Sequence, residues 1–244
     1  DASHGATLLP DVGFGFEYLS RVTLTEVNCG LRAALDASTK LSMASQQAST
    51  DGFPTCRDCG EVLDTRPWKR GDAVRHAPYC PQRSGDAKAR HTVYLYRQVK
   101  SEALRFLLPF SEVAVEAKQA SFQAAVDLGL RRRFRGRPIH LDVSSMSEPE
   151  KGDRQRRKYY LVLFDTVPGG TGYLKEFRTP DAVFDLLGVA LESIRACPCR
   201  ARGQDGCYLC LYAHQRQRDL PVLSAQVAEQ LLDRIVASRG KVEW

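Results

Sequence analysis

The sequence predicts an α+β fold in which helices pack on a mixed or antiparallel sheet. Three observations lead to this prediction. Segments with alternating or continuous apolar residues, typical of strands, occur at 14–27 and 92–109, and a strand pair follows at 138–167. A helical pattern separates these strands, and further helical segments fill most of the C-terminal part. Strands followed by helices, without regular strand-helix alternation, are typical of the α+β class.

The length and composition allow a substantial core. The chain has 244 residues, 43% of them hydrophobic, and a formal net charge of +6. This size suits one large domain or two small ones. No apolar run is long enough to cross a bilayer and no signal peptide is visible, so we expect a cytoplasmic protein without a membrane partner. The chain starts at Asp1 with a loop-like stretch, and we expect it to be a fragment of a longer protein.

The first half of the chain is predicted to contain strands on either side of a small insertion. Residues 14–27 predict one or two strands. Residues 30–52 have weak helical spacing and end in a Ser/Gln-rich stretch typical of a linker. Residues 92–109 predict one long or two short strands that end at Pro109.

The segment after Pro109 has the spacing of an amphipathic helix. Its apolar residues recur at helical intervals, with Ser111 as the N-cap and Gly129 near the C-terminal end. Three later segments are also predicted to be mostly helical: 171–195, 208–217 and 223–238.

A hairpin is predicted between these helices. Its strands are 138–146 and 158–167, and the charged loop EPEKGDRQRR forms a mobile tip. The second strand is almost entirely apolar from Tyr159 to Phe164, which predicts a central strand buried on both faces.

Four cysteines near the C-terminus have the layout of a structural zinc site. They are Cys197, Cys199, Cys207 and Cys210, in the segment CPCRARGQDGCYLC. Zinc takes four thiolate or imidazole ligands in a tetrahedron, and two close pairs supply them with little loop-closure entropy. The first pair is Cys-x-Cys rather than Cys-x-x-Cys, so its turn must be unusually tight. Two disulfides or buried free thiols are the alternative.

A second set of metal-binding residue types precedes this one. Cys56 and Cys59 form a Cys-x-x-Cys-Gly turn, and His76 and Cys80 follow in RHAPYC. His91 is an alternative to His76 as the fourth ligand. Only Cys29 then remains, and an odd leftover cysteine does not suit a disulfide framework.

These sites divide the chain into three predicted parts. N-terminal strands and a linker occupy 1–52, and the zinc-knuckle insertion occupies 53–84. The α+β core, with the helical four-cysteine zinc lobe at its end, occupies 85–244.

Basic residues cluster in two places and predict contacts with nucleic-acid phosphates. A solvated face or a docking surface is the alternative in each case. The predicted nucleic-acid-binding residues are Arg131, Arg132, Arg133, Arg135 and Arg137 after the long helix, and Arg156, Arg157 and Lys158 on the hairpin.

The turn from Asp165 to Gly172, DTVPGGTG, follows the buried strand and opens a helix. Its backbone N–H groups could receive an anion such as a DNA phosphate. We favour the structural interpretation, in which the glycines permit a sharp turn and Asp165 caps it. No phosphate-binding Gly-x-x-x-x-Gly-Lys-Ser/Thr loop occurs in the chain.

Several of these motifs together resemble the MrfA zinc-binding family. The specific part, within residues 160–212, is FDTVPGGTGYL, a helix, and CPCRARGQDGCYLCL; FEYLSRVTLTEVNCG, CRDCG and LYRQVKSEALRFLLP resemble the region that precedes this module in large members. The family is the C-terminal module of many bacterial DEAD/DEAH-box helicases and of some phage-defence helicase-associated proteins. The resemblance implies that the motor domains of an ATP-dependent DNA helicase or translocase lie outside this chain. It also implies zinc ligation by the four C-terminal cysteines.

The function predicted from the sequence is therefore a non-catalytic zinc-binding module of a DNA helicase, with no active site of its own. We expect two zinc ions, and as partners the motor domains and single-stranded DNA contacted through its backbone. The parent protein could act in DNA repair or in phage defence. One alternative is a metal-dependent nuclease in which Glu102, Asp142 and Asp165 hold magnesium. Another is a protein-docking scaffold in a defence complex.

Overall fold

In the computed structural model, the chain forms two compact units. One contains Asp1–Thr23 and Val99–Trp244, and the other contains Leu24–Gln98. The predicted boundaries at residues 52 and 84 stay a prediction. The residues described are 2–9, 11–28, 53–62, 76–82, 90–109, 115–136, 138–150, 153–213, 215 and 220–241.

Seven strands form two sheets among the described residues. The larger sheet is antiparallel, with five strands in the order β1-β2-β5-β7-β6, and β3 pairs antiparallel with β4 in the smaller one. The strands are β1 Ala2–Leu9, β2 Phe14–Asn28, β3 Phe53–Cys56, β4 Arg90–Val93, β5 Leu95–Leu108, β6 Leu141–Glu150 and β7 Asp153–Asp165. The α+β class with an antiparallel sheet is thus confirmed.

Four α-helices are described, together with short 3-10 turns. The helices are α1 Val115–Arg133, α2 Pro180–Arg195, α3 Pro198–Ala201 and α4 Ala225–Ala237. The 3-10 turns are Tyr173–Arg178, Leu220–Val222 and Arg239–Lys241. None of the helices described is long and apolar enough to cross a membrane.

The core of the first unit lies between the large sheet and the helices. Phe14 of β2 packs on Phe106 of β5, and Phe122 of α1 meets both rings edge-on, with centroids 6.0 and 5.8 Å away. Phe16 contacts Phe184 of α2 in the same way at 5.7 Å. Burial of these aromatic side chains is the main force that holds α1 and α2 on the sheet.

Helix α1 continues beyond the predicted end at Gly129. A Cβ atom at Gly129 would lie 2.8 Å from the carbonyl oxygen of Leu186, so the glycine permits close packing against α2 rather than ending the helix. Arg131, Arg132 and Arg133 consequently belong to the last helical turn, not to a segment after the helix. The predicted N-cap, Ser111, lies outside the described residues.

The hairpin is confirmed, but its strands are longer than predicted. β6 runs to Glu150 and β7 starts at Asp153, so most of the predicted charged loop is paired strand. β7 is central, since it pairs with both β5 and β6. It is not buried on both faces: Leu161, Leu163 and Asp165 are buried, whereas the alternating residues are only half-buried, because the helices cover one face of the sheet.

The predicted helix at 208–217 does not form over the residues described there. Residues 208–213 are turns. Tyr208 is 69% exposed, so it does not lie on a buried helical face. The two rings still meet edge-on at 6.0 Å.

Candidate metal centres

The C-terminal cysteine lobe brings its four sulfurs together. Cys197 Sγ lies 3.3 Å from Cys199 Sγ and 3.5 Å from Cys207 Sγ, and Cys210 Sγ lies 3.7 Å from Cys199 and 3.8 Å from Cys207. Only Cys207 is partly exposed. The sulfurs are much too far apart for disulfides, whose S–S bond is about 2.05 Å, so the disulfide alternative fails.

Two local turns produce this geometry. Cys197 is the N-cap of the one-turn helix α3 and Pro198 occupies its first position, which places Cys199 on the same side as Cys197 despite the single intervening residue. In the second pair, the backbone N–H of Leu209 points at Cys207 Sγ at 3.4 Å and the N–H of Cys207 points at Cys210 Sγ at 3.3 Å. These N–H groups stabilise thiolate charge.

The four thiols of the lobe do not titrate alike. Burial acts against the thiolate of Cys207, but hydrogen bonds from the Leu209 N–H and neighbouring thiols outweigh it and lower the pKa to about 7. Burial and the adjacent sulfurs raise the pKa of Cys199 to about 12. A thiolate in this lobe therefore disfavours ionisation of the neighbouring thiol. A bound cation would compensate for the repulsion between their negative charges.

Side chains from α1 and α4 hold the lobe. Arg131 of α1 pairs with Asp127 at 3.2 Å and donates to the carbonyl oxygen of Cys210 at 3.0 Å. Arg200 of α3 pairs with Glu229 of α4 at 3.0 Å. The lobe is thereby attached to two core helices by charged hydrogen bonds.

The loop between the two cysteine pairs also packs tightly. Asp205 accepts from the Gln226 N–H at 2.8 Å, which ties the loop to the first turn of α4. Gly206 has a φ of 107°, and a Cβ atom there would lie 2.8 Å from the Tyr212 ring. Tyr212 in turn donates to the Asp205 carbonyl at 2.8 Å. Glycine at 206 is required both for its backbone conformation and for the space.

The second cluster, which we call the knuckle, joins Cys56, Cys59, His76 and Cys80. His76 Nδ1 lies 3.6 Å from Cys59 Sγ and 3.4 Å from Cys80 Sγ, and Cys56 Sγ lies 3.7 Å from Cys80 Sγ. The turn after the first pair closes with the Gly60 N–H donating to the Cys56 carbonyl at 2.9 Å, and Gly60 has a φ of 74°. Within the described part of the chain, no neighbouring atom lies within 4 Å of a Cβ built on Gly60.

The thiols of the knuckle also differ in pKa, as those of the lobe do. Burial raises the pKa of Cys80, with the other sulfurs, to about 11. At Cys59 burial is outweighed by hydrogen bonds from the backbone N–H groups of Ala77 and Glu61 and from His76, which lower the pKa to about 6. The alternative ligand His91 is not in the cluster, and its ring contacts the Thr55 hydroxyl at 3.2 Å.

Both clusters fit zinc. A tetrahedral ion with Zn–S bonds of about 2.3 Å and a Zn–N bond of about 2.0 Å separates two sulfurs by about 3.8 Å and a sulfur from a nitrogen by about 3.5 Å. All ligand atoms in each group lie within 4.8 Å of one another. The two clusters could hold two zinc ions, which agrees with the predicted cofactor. The assignment of the eight individual ligands stays a prediction.

The predicted phosphate-binding arginines have different surroundings. Arg131 is 14% exposed in its side chain and serves the lobe, and Arg133 pairs with Glu176 at 3.2 Å. Arg132 and Arg135 are exposed, and no ion pair is described for either in the parts of the chain covered. Arg157 donates to Ser147 at 3.0 Å on the neighbouring strand. Arg137 and the side chain of Arg156 lie outside the described residues, and Lys158 is exposed.

The turn that follows β7 is held by Asp165, as its structural interpretation predicts. Asp165 is fully buried and accepts from the N–H groups of Val167 at 2.9 Å and Thr171 at 2.6 Å. The N–H groups of Gly169 and Gly170 donate to backbone carbonyls. Since four N–H groups of the turn already have acceptors, this geometry does not favour anion binding.

The three carboxylates of the nuclease alternative have separate partners. Glu102 is buried, accepts from the Tyr18 hydroxyl at 2.8 Å and lies 3.3 Å from the Lys175 ammonium. Asp142 accepts from its neighbouring Val143 N–H at 2.8 Å, and Asp165 caps the turn. Among the described residues they form no metal-binding group, so no observation favours the nuclease.

Two structural features near the lobe were missed by sequence reasoning. One is the attachment of Arg131 to Cys210, and the other is the exposure of Tyr208 and Leu209. Tyr208 and Leu209 are the two middle residues of the Cys-x-x-Cys pair, and both are exposed.

The match to a family model agrees with the sequence resemblance. Residues 122–211 match the family model of the MrfA Zn-binding domain, a span that contains all four cysteines of the lobe. No curated protein matches the chain. The crystal structure of the DUF1998 helicase MrfA bound to DNA aligns with a TM-score of 0.41 and 17% sequence identity. That alignment covers 60% of this chain and 18% of the other.

Proposed function

We propose that this chain, whose residues 122–211 match the MrfA Zn-binding domain, is a non-catalytic zinc module of an ATP-dependent DNA helicase or translocase. In this role it braces the motor domains and contacts the DNA strand. The observation that carries the proposal is that the family match spans Cys197 to Cys210, whose four sulfurs lie at zinc-ligand spacing.

The bracing role is supported by the way the lobe is built. Its ligands occupy one short segment, and side chains of α1 and α4 bind the turns that carry them. Zinc supplies folding free energy to such a site, because its ligands come together only in the folded chain. A rigid lobe of this kind gives a motor domain a surface of fixed shape.

DNA contact is assigned to the exposed part of the arginine cluster. Arg132 and Arg135 carry full positive charges at the surface, and such groups bind phosphates without reading the base sequence. We expect weak binding to single-stranded DNA that falls steeply as salt is raised. Arg131, in contrast, is engaged by Asp127 and Cys210.

Metal analysis tests the zinc assignment. The purified chain should contain two zinc ions, and Cys210→Ser should contain one. Cys29→Ser is the matched control, because Cys29 is predicted to be no ligand, and it should retain both ions. A chain with fewer than two ions, or a Cys210→Ser variant that keeps both, would contradict the assignment.

A salt titration of DNA binding tests the second part. An Arg132→Ala/Arg135→Ala double variant should bind a labelled single strand more weakly, with a salt slope that is shallower by about 1 to 2. Arg234→Ala removes an exposed positive charge from α4 and is the matched control. Equal loss in the control would mean that net charge, not this cluster, binds the strand.

A further inference from the structure

A pocket of about 470 Å³ lies beside the cysteine lobe, at the C-terminal ends of α1 and α2. Its apolar walls include Val189, Pro198 and Leu209. Its polar lining residues include Arg132 and Glu192. An apolar pocket of this size with a few polar groups can hold a small organic ligand or part of a larger one.

The turn that contributes Leu209 to the pocket exposes two large side chains. Leu209 is 64% exposed and the adjacent Tyr208 is 69% exposed. Both stand between Cys207 and Cys210, whose N–H···S contacts fix the turn that presents them. The chain thus exposes two large side chains on this turn, and one of them, Leu209, lines the pocket together with the exposed Arg132.

We propose that this pocket binds one unstacked base of single-stranded DNA, with Arg132 on an adjacent phosphate. This inference rests on the proposed function. It adds a contact with a base, which the arginine cluster alone does not supply. A base has two apolar faces and an edge with both donors and acceptors, and proteins bind single strands by covering those faces. The pocket matches this chemistry because its walls are apolar and it carries both a donor, Arg132, and an acceptor, Glu192.

The charged residues of the lining favour a base over an anionic ligand. The carboxylate of Glu192 would repel a phosphate or an acidic peptide that entered the pocket itself. It can instead accept from a ring or exocyclic N–H of a base, while Arg132 remains available to the backbone. A protein segment with an apolar anchor is the remaining occupant, and the experiment below separates it from DNA.

The test measures the affinity of the zinc-loaded chain for two labelled 12-nucleotide strands at fixed salt, one with bases and one abasic. We expect the abasic strand to bind at least about fivefold more weakly. Leu209→Ser should weaken binding of the base-containing strand by about the same factor and leave the abasic strand unchanged. Ile139→Ser is the matched control, since Ile139 is 84% exposed and is not among the residues that line the pocket.

The outcomes distinguish this inference from the proposed function. Binding could depend on salt, be equal for the two strands and be unaffected by Leu209→Ser. This result would overturn base binding in the pocket but not the arginine contact. A protein segment would then be the occupant of the pocket. Absence of binding to either strand at low salt would overturn both the DNA contact and the pocket. An equal effect of Leu209→Ser and Ile139→Ser would also overturn the pocket.

Discussion

The two cysteine clusters offer zinc similar ligands, but the rest of the chain holds them differently. In the lobe, the ligands Cys197 to Cys210 lie within one short segment, and Arg131 and Arg200 connect that segment to α1 and α4. In the knuckle, the ligands run from Cys56 to Cys80 and the described contacts that close the site are its own turns and the β3-β4 pair.

This difference separates two uses of a structural metal. The lobe cysteines pack in the main hydrophobic core together with residues of α2 and α4, whereas the knuckle cysteines form a cluster of their own. Loss of metal from the lobe therefore removes support from the core of its unit. Loss of metal from the knuckle is expected to act locally, since fewer described side chains depend on it.

The largest expected difference comes from deleting one ligand in each cluster. Cys207→Ser should lower the free energy of unfolding of the first unit by more than about 4 kcal/mol, because it removes the metal that organises part of the core. Cys59→Ser should change that unit much less. Thermal unfolding followed by near-UV circular dichroism and metal analysis of both variants measure this. Equal destabilisation by the two variants would show that the clusters are not independent supports.

The sequence predicted what depends on local spacing and missed what depends on distant partners. Ligand spacing is local, so Cys56, Cys59, His76 and Cys80 were grouped from motifs alone, as were the cysteines of the lobe. Helix α1 ends later than the sequence predicts because the role of Gly129 depends on Leu186 of another helix. The attachment of Arg131 to Cys210 is not predicted because the two residues lie 79 positions apart in the chain.

The helix predicted at 208–217 failed for a related reason. Its apolar spacing, including Tyr208 and Tyr212, fits a helix, but the two cysteines of the Cys-x-x-Cys pair require a turn in which N–H groups point at sulfur. Metal geometry therefore overrides the helical pattern at this site. The spacing of apolar residues carries no information about this turn.

A smaller difference is expected at the glycine that each cluster holds at positive φ. Gly206→Ala should cost about 3 kcal/mol, since the backbone conformation is strained for alanine and the Cβ atom meets the Tyr212 ring. Gly60→Ala should cost only about 1 kcal/mol, because it introduces backbone strain without a steric contact. A denaturant titration that follows the amount of bound zinc measures the stability cost of each variant. A cost at Gly60 that equals the cost at Gly206 would mean that the space around Tyr212 is unimportant.

The smallest expected difference between two variants tests how the lobe is attached to α1. Arg131→Ala removes a guanidinium that pairs with the largely buried Asp127, 12% exposed, and donates to the Cys210 carbonyl, so it should cost about 2 kcal/mol. Arg132→Ala, one residue along on the exposed side of the same helix, should stay within about 0.5 kcal/mol.

DNA affinity should change in the opposite order for these two arginines, falling more for Arg132→Ala than for Arg131→Ala when both are compared at a temperature where each variant is folded. Urea unfolding and single-strand binding on the same preparations give the two rankings. If Arg131→Ala had the larger effect on DNA affinity and the smaller effect on stability, the guanidinium would be a phosphate contact after all, and the lobe would need another attachment to α1.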